Sequence, residues 1–118
     1  MTTPLSTIDV LDRLIAFPTV SARSNLVMAD WITDFLRGLG FDCTLVPSPD
    51  GQKAGIYAQI GPRCDGGLIL SAHMDVVPAE GQVWSRDPFR LTRADGRLFG
   101  RGTTDMKGFL AAALAVAQ

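Results

Sequence analysis

The sequence predicts an α/β fold in which helices pack on a mostly parallel sheet. Three observations support this class. Apolar residues before Gly40 recur at three- and four-residue steps, a period typical of amphipathic helices. After Gly40 the period changes to two, as in strands. Residues 68–70 form a continuous apolar run, which is typical of a strand covered on both faces.

Two helices are predicted before the first strand. An apolar stripe runs from Leu5 to Ile15, and Pro18 should end this helix because the residue before a proline is disfavoured in helical backbone. The second helix is predicted over residues 25–39. Ser24 can cap its start, and Gly40 suits the left-handed position that often follows a helix.

Several strands are predicted next. Residues 41–46 and 55–60 alternate between apolar and polar side chains, and the segment between them is rich in turn-forming residues. Residues 66–73 contain the continuous apolar run and should form a buried strand. A hairpin is expected within residues 89–100, because Asp95-Gly96 is a strong turn signal.

The closing segment is predicted to become helical after about Met106, because it is rich in alanine. This helix is expected to run to Gln118 without the usual C-terminal signals, and the predicted sheet is small. Both features suggest that residues 1–118 are the front part of a larger domain.

Composition narrows the classes of function. The 118 residues are 47% apolar and 19% charged, so disorder is not expected. A net charge of −1 argues against a nucleic-acid partner. One histidine and two cysteines cannot build a closed Cys/His zinc site. The apolar run at 109–117 is too short to cross a membrane, and the N-terminus lacks a secretory signal, so a cytoplasmic location is expected.

A first candidate site lies where the predicted buried strand ends. His73 is the last residue of that strand and Asp75 follows two residues later, so both side chains can face the same side. Ligands of open α/β sheets bind at the carboxyl ends of the strands. An imidazole can bind zinc or cobalt while a carboxylate on its other nitrogen fixes the tautomer. The alternative is a structural histidine hydrogen-bonded to an aspartate, since this spacing is short and common.

A second candidate site is the glycine-rich segment around Asp105. Asp105 lies 32 residues after His73, which allows one crossover to the neighbouring edge of the sheet. A dinucleotide loop is excluded because its third glycine is absent, and Lys107 does not stand in a phosphate-loop frame. The alternative is that Asp105 only caps the helix that follows.

The segments SAHMDVVP (71–78) and GRGTTDMKG (100–108) are much more specific together than either is alone. They resemble the metal-dependent peptidase and deacylase superfamily of aminoacylases, carboxypeptidase G, succinyl-diaminopimelate desuccinylase and acetylornithine deacetylase. The resemblance extends over about residues 11–118 and is strongest to the acetylornithine deacetylases within residues 83–109. Met74 departs from the threonine expected between the two site residues.

The resemblance implies the N-terminal part of a zinc-exopeptidase-like three-layer α/β/α domain with a mostly parallel sheet. Residues 1–118 would then be the N-terminal portion of a metallohydrolase catalytic domain, with the rest of that domain and a lid domain absent. The resemblance makes His73 a ligand of one Zn²⁺ or Co²⁺ and Asp105 the carboxylate that bridges two metal ions. Asp75 would be the catalytic residue that orients His73. The Asp105–Met106 peptide bond is expected to be cis.

The implied activity is hydrolysis of an N-acyl amino acid, a small-molecule substrate. N²-acetyl-L-ornithine is the preferred substrate, giving L-ornithine and acetate in arginine biosynthesis. Dipeptidase, aminoacylase and desuccinylase activities are the enzymatic alternatives. The family's general base belongs to a Glu-Glu pair and its metal site needs a second histidine. The 118 residues contain neither, so they are expected to be inactive alone.

A non-enzymatic function is the second class of hypothesis. The chain would then be a binding or assembly module that retains the front end of the fold without catalysis. Open sheet edges recruit partners, so such a module would self-associate into a homo-oligomer.

Overall fold

The computed structural model describes residues 2–118, which form three helices and four short strands. In chain order these are α1 (Thr7–Ile15), α2 (Leu26–Gly38), β1 (Asp42–Pro47), β2 (Ala54–Gln59), β3 (Thr92–Ala94), β4 (Arg97–Phe99) and α3 (Lys107–Val116).

α1 begins with a reciprocal pair of hydrogen bonds. The Asp9 backbone N–H donates to Ser6 Oγ at 3.1 Å, and the Ser6 backbone N–H donates to the Asp9 carboxylate at 2.9 Å. This capping box satisfies two donors that the helix itself leaves unpaired. It fixes the point at which the chain enters the helix.

α2 begins one residue later than predicted, at Leu26. The predicted cap, Ser24, accepts a hydrogen bond from the Leu26 backbone N–H at 3.2 Å, but the N-cap position belongs to Asn25. The Asn25 amide instead bonds both backbone groups of Ala54, at 2.9 and 3.0 Å. Because Ala54 is the first residue of β2, Asn25 joins the start of α2 to the sheet.

The core is made by one face of each helix. α1 packs on α3, although most of the chain separates them, and α2 lies against β1 and β2. The buried side chains of the core share apolar character and come from these helices: Val10, Leu11, Leu14, Ile15, Met28, Ile32, Leu36, Ala111 and Leu114. The burial of these apolar side chains is the main contribution to the stability of the fold.

The strands form two antiparallel hairpins. β1 pairs with β2 from Asp42 opposite Gln59 to Pro47 opposite Ala54. β3 pairs with β4 around Asp95-Gly96, whose φ angles are 53° and 69°. Two consecutive positive φ values are those of the tight turn that matches strand twist. The predicted hairpin at Asp95-Gly96 is therefore confirmed.

The predicted buried strand at residues 66–73 is absent. This segment has no strand assignment, and Leu68 and Ile69 are 85% and 88% exposed. A strand needs neighbours that pair its backbone, but within residues 2–118 each named strand pairs only with its own hairpin partner. The only parallel pairing in the described chain is an isolated bridge between Val20 and Val76. The mixed α/β class holds, whereas the mostly parallel, three-layer sheet remains an expectation.

α3 is the most apolar helix and has ten residues. Within residues 2–118, none of the helices combines the length and apolar character that crossing a membrane requires.

Candidate metal centre

Both ring nitrogens of His73 contact acidic residues. Nε2 lies 2.9 Å from Oδ1 of Asp105. Nδ1 lies 2.9 Å from the backbone oxygen of Asp75 and 3.1 Å from its Oδ1. The structure thus brings together the three residues that the sequence singled out, with the imidazole between two carboxylates.

Asp75 is held by the segment after α1. Ser21 Oγ donates a hydrogen bond to Asp75 Oδ2. The adjoining backbones are also paired, since Ser21 N–H donates to Val76 O and Val76 N–H donates to Thr19 O, both at 3.0 Å. Ser21 lies 54 residues before Asp75, and no sequence signal marked it. Ser21 thus extends the series of contacts that joins Asp75, His73 and Asp105.

Asp105 is presented by a tight turn. Gly102 has a φ of +94°, and a Cβ at that position would lie 2.7 Å from Val76 Cγ1. Only glycine combines this backbone conformation with so close an approach. The Asp105–Met106 peptide bond is cis, as the resemblance implied. The backbone N–H of His73 contacts Met106 Sδ at 3.2 Å, which closes the turn against the His73 segment.

A cavity of about 290 Å³ opens beside these groups. The three predicted site residues line it together with the glycine-rich turn: His73, Asp75, Val77, Gly100, Arg101, Gly102, Thr103, Thr104 and Asp105. The Asp105 side chain is 85% exposed, so its carboxylate is open to the cavity and to solvent.

The electrostatic environment favours ionised groups. The hydrogen bond to Asp105 raises the pKa of His73, and the Asp75 backbone and charge add to that effect against partial burial. The hydrogen bond from Ser21 lowers the pKa of Asp75, and the neighbouring His73 lowers it further against partial burial. Nδ1 thus pairs with the Asp75 backbone oxygen beside the ionised Asp75 carboxylate, which leaves Nε2 directed at Asp105.

The donor set suits a borderline metal ion such as zinc. An imidazole nitrogen and a carboxylate oxygen are both zinc ligands, and a carboxylate on Nδ1 is the usual partner of a metal-bound histidine. Residues 2–118 hold no group of three or more His, Cys, Asp or Glu side chains placed to bind one ion. His73 and Asp105 thus fit as two ligands of a site, whereas a catalytic zinc usually has three protein ligands.

Comparison with known proteins agrees with this geometry. The model of Peptidase family M20/M25/M40 matches residues 69–118, the stretch that contains all three predicted site residues. An acetylornithine deacetylase from Shigella sonnei (strain Ss046) is 41% identical over 111 residues, which cover 88% of this chain and 29% of that protein. The crystal structure of human carnosine dipeptidase 1 superposes with a TM-score of 0.79 and 30% identity, over 94% of this chain and 27% of that one. The chain spans less than a third of either relative.

Proposed function

We propose that this chain is part of a member of Peptidase family M20/M25/M40, whose model matches residues 69–118, and that it forms part of a metal-dependent amide hydrolase whose substrate is N²-acetyl-L-ornithine. The observation that carries the proposal is the contact between His73 Nε2 and Asp105 Oδ1 at the wall of an open cavity. The higher identity to a deacetylase than to a dipeptidase favours the acetylated amino acid as substrate.

His73 and Asp105 would hold the metal, and Asp75 would act through His73. Zn²⁺ or Co²⁺, when bound there, would supply polarisation of the scissile carbonyl and activation of water. The Asp75 backbone oxygen would accept a hydrogen bond from Nδ1, with the Asp75 carboxylate 3.1 Å from the same nitrogen, and together they would hold the ring in the tautomer whose Nε2 can act as a ligand. Asp105 offers two carboxylate oxygens, enough to bridge a pair of ions.

Hydrolysis adds water across the amide. The water oxygen bonds to the acetyl carbon, the C–N bond breaks, and one water proton reaches the departing amine nitrogen, giving acetate and L-ornithine. That transfer needs a general base. His73 and Asp105 are occupied as ligands, and Glu80, the single glutamate of the chain, does not line the cavity. The base would therefore be the glutamate of the Glu-Glu pair that the resemblance implies.

The 118 residues by themselves are expected to be inactive, because they supply two metal ligands and no base. Activity would need the missing ligands and the base from further chain or from another subunit. The ornithine product would enter arginine biosynthesis in the cytoplasm.

Two other functions have a specific observation behind them. A dipeptidase is favoured by the superposition on human carnosine dipeptidase 1. A non-catalytic module that self-associates is favoured by the exposed apolar residues at 68–70, of which Leu70 is 52% exposed.

The test uses the longest reading frame that contains these residues, loaded with Zn²⁺ or Co²⁺ and supplied with acetylornithine, a dipeptide and a succinylated diamino acid. Acetylornithine turnover that falls at least 100-fold in His73→Ala supports the proposal. Glu80→Gln is the matched control, since its side chain is 87% exposed and pairs with Arg23 away from the cavity. Preference for the dipeptide would support the second candidate, and turnover of none of the three would support the module.

A further inference from the structure

Lys107, the first residue of α3, is completely buried. Its ammonium donates hydrogen bonds to the backbone oxygens of Leu14 and Phe17, at 2.8 and 2.7 Å. These residues lie 93 and 90 positions earlier in the chain, at the carboxyl end of α1 and just beyond it. Lys107 therefore joins the start of the last helix to the end of the first.

The ends of helices favour such a contact. Carbonyls of the last turn lack partners within the helix and carry partial negative charge, so a cation there is stabilising. Burial disfavours the charged ammonium and lowers the pKa of Lys107 to about 8. An apolar side chain of the same length would fill the space without that cost, but it would leave both carbonyls without this donor.

Lys107 also holds the turn that carries Asp105. Its backbone N–H donates to Gly102 O at 2.8 Å. A Cβ on Gly102 would lie 3.4 Å from Lys107 Cδ and 2.7 Å from Val76 Cγ1. The Lys107 side chain and Val76 thus both pack close to Gly102, and Val76 directly follows Asp75.

Little else restrains the Asp105 carboxylate. Its side chain is 85% exposed, and the polar group that it contacts is His73 Nε2. Its position relative to the imidazole consequently depends on the backbone of the turn. Lys107 bonds that backbone at Gly102 O, in addition to the contact of the His73 backbone N–H with Met106 Sδ.

We propose that Lys107 is a positioning residue, whose two hydrogen bonds to the end of α1 hold Asp105 against His73. The metal-binding part of this inference rests on the proposed function, because it treats Asp105 as a ligand. The placement of Asp105 against the imidazole does not depend on any metal.

The test compares Lys107→Met, which keeps an unbranched side chain without the ammonium, with Leu114→Ala, which weakens the buried face of the same helix. Two readouts are taken on the 118-residue chain. One is the Kd for Zn²⁺ by calorimetry, and the other is the set of ¹⁵N shifts of the imidazole, which are unambiguous because the chain has a single histidine.

Lys107→Met should weaken zinc binding by about 10-fold or more, the usual effect of removing a residue that supports a ligand. It should also move the His73 Nε2 shift toward that of Asp105→Asn. Leu114→Ala should lower the Tm yet leave both readouts at the wild-type values. The proposal is overturned if Lys107→Met keeps the wild-type shift, or if Leu114→Ala moves both readouts as far.

If Lys107→Met does not fold, Lys107→Gln replaces it, because its shorter amide keeps a polar end but loses the reach of the ammonium. It should change the readouts in the same direction, and wild-type values would overturn the proposal. If the wild-type chain binds no zinc, the proposed metal role of His73 and Asp105 fails. The imidazole shifts alone then decide whether Lys107 positions Asp105.

Discussion

Nε2 of His73 lies 2.9 Å from Oδ1 of Asp105, although 32 residues separate them and neither belongs to a helix or strand. The contact forms because two irregular segments meet beside α1. The His73 segment is paired with residues 19–21 through Val76, and Gly102 of the Asp105 turn packs close to both Val76 and Lys107. Two groups that can bind one metal ion are therefore held adjacent by the fold.

The first prediction concerns the titration of His73. Its pKa should lie above the ordinary value of 6.5, chiefly because Asp105 accepts a hydrogen bond from Nε2. Asp105→Asn should lower that pKa toward 6.5, since the amide carries no charge. Since the folded pKa is raised, the stability that protonated His73 contributes is full below pH 6.5 and is lost as pH rises through the folded pKa. Imidazole shifts followed by NMR against pH measure it, and an unchanged pKa in Asp105→Asn would refute the contact.

The second prediction concerns Ser21. Ser21→Ala removes the hydroxyl that donates to Asp75, so the pKa of Asp75 should rise toward its ordinary value. Ser48→Ala is the matched control, because Ser48 donates in the same way to Asp50 in an exposed turn. Ser48→Ala should raise the pKa of Asp50 and leave the pKa of Asp75 unchanged. Carboxyl ¹³C titration distinguishes the two variants. A pKa of Asp75 that is the same in Ser21→Ala and in the wild-type chain would contradict the hydrogen bond from Ser21.

The third prediction concerns the turn that carries Asp105. Gly102→Ala should destabilise the chain by roughly 2–4 kcal/mol, because it adds a steric clash to the strain of positive φ. Gly51→Ala is the control, since Gly51 has a φ of +70° but open space around the added Cβ. That change should cost only about 1–2 kcal/mol. If urea unfolding gives both variants the same loss in free energy of unfolding, an added Cβ at Gly102 does not clash with Val76.

The fourth prediction concerns the exposed apolar segment. If the chain is a module that self-associates through its exposed apolar patch, replacing Leu68 and Ile69 together by lysine should reduce concentration-dependent association in sedimentation velocity. Val83→Lys changes an equally exposed residue elsewhere and should have less effect. Self-association that is the same in both variants would rule out this segment as the contact.

The sequence predicted the elements whose signals are local. The helix expected over residues 25–39 is observed at Leu26–Gly38, and the turn at Asp95-Gly96 forms the expected hairpin. Apolar period and turn chemistry act over a few residues, so they can be read from one segment at a time. His73, Asp75 and Asp105 were singled out because the segments at 71–78 and 100–108 together resemble a known superfamily of metal-dependent hydrolases.

The features that the sequence did not predict depend on contacts between residues far apart in the chain. An apolar run such as residues 68–70 indicates burial only when a partner covers it, and in the described chain these residues face solvent. Ser21 was missed because its partner lies 54 residues away, and the role of Lys107, although it stands in the predicted motif, depends on partners 90 and 93 residues away. Their roles follow from packing, which a single segment does not encode.

The most direct test of the central claim is a Co²⁺ absorption titration of the 118-residue chain beside His73→Ala, Asp105→Ala and Asp34→Ala. Asp34 is exposed on α2 and serves as the control. We expect the wild-type chain to bind Co²⁺ weakly. Either site substitution should lower the affinity for Co²⁺ by at least 10-fold, and Asp34→Ala should leave it unchanged. Binding that persists in both site variants, or that falls equally in Asp34→Ala, would contradict the assignment of His73 and Asp105 as a metal-binding pair.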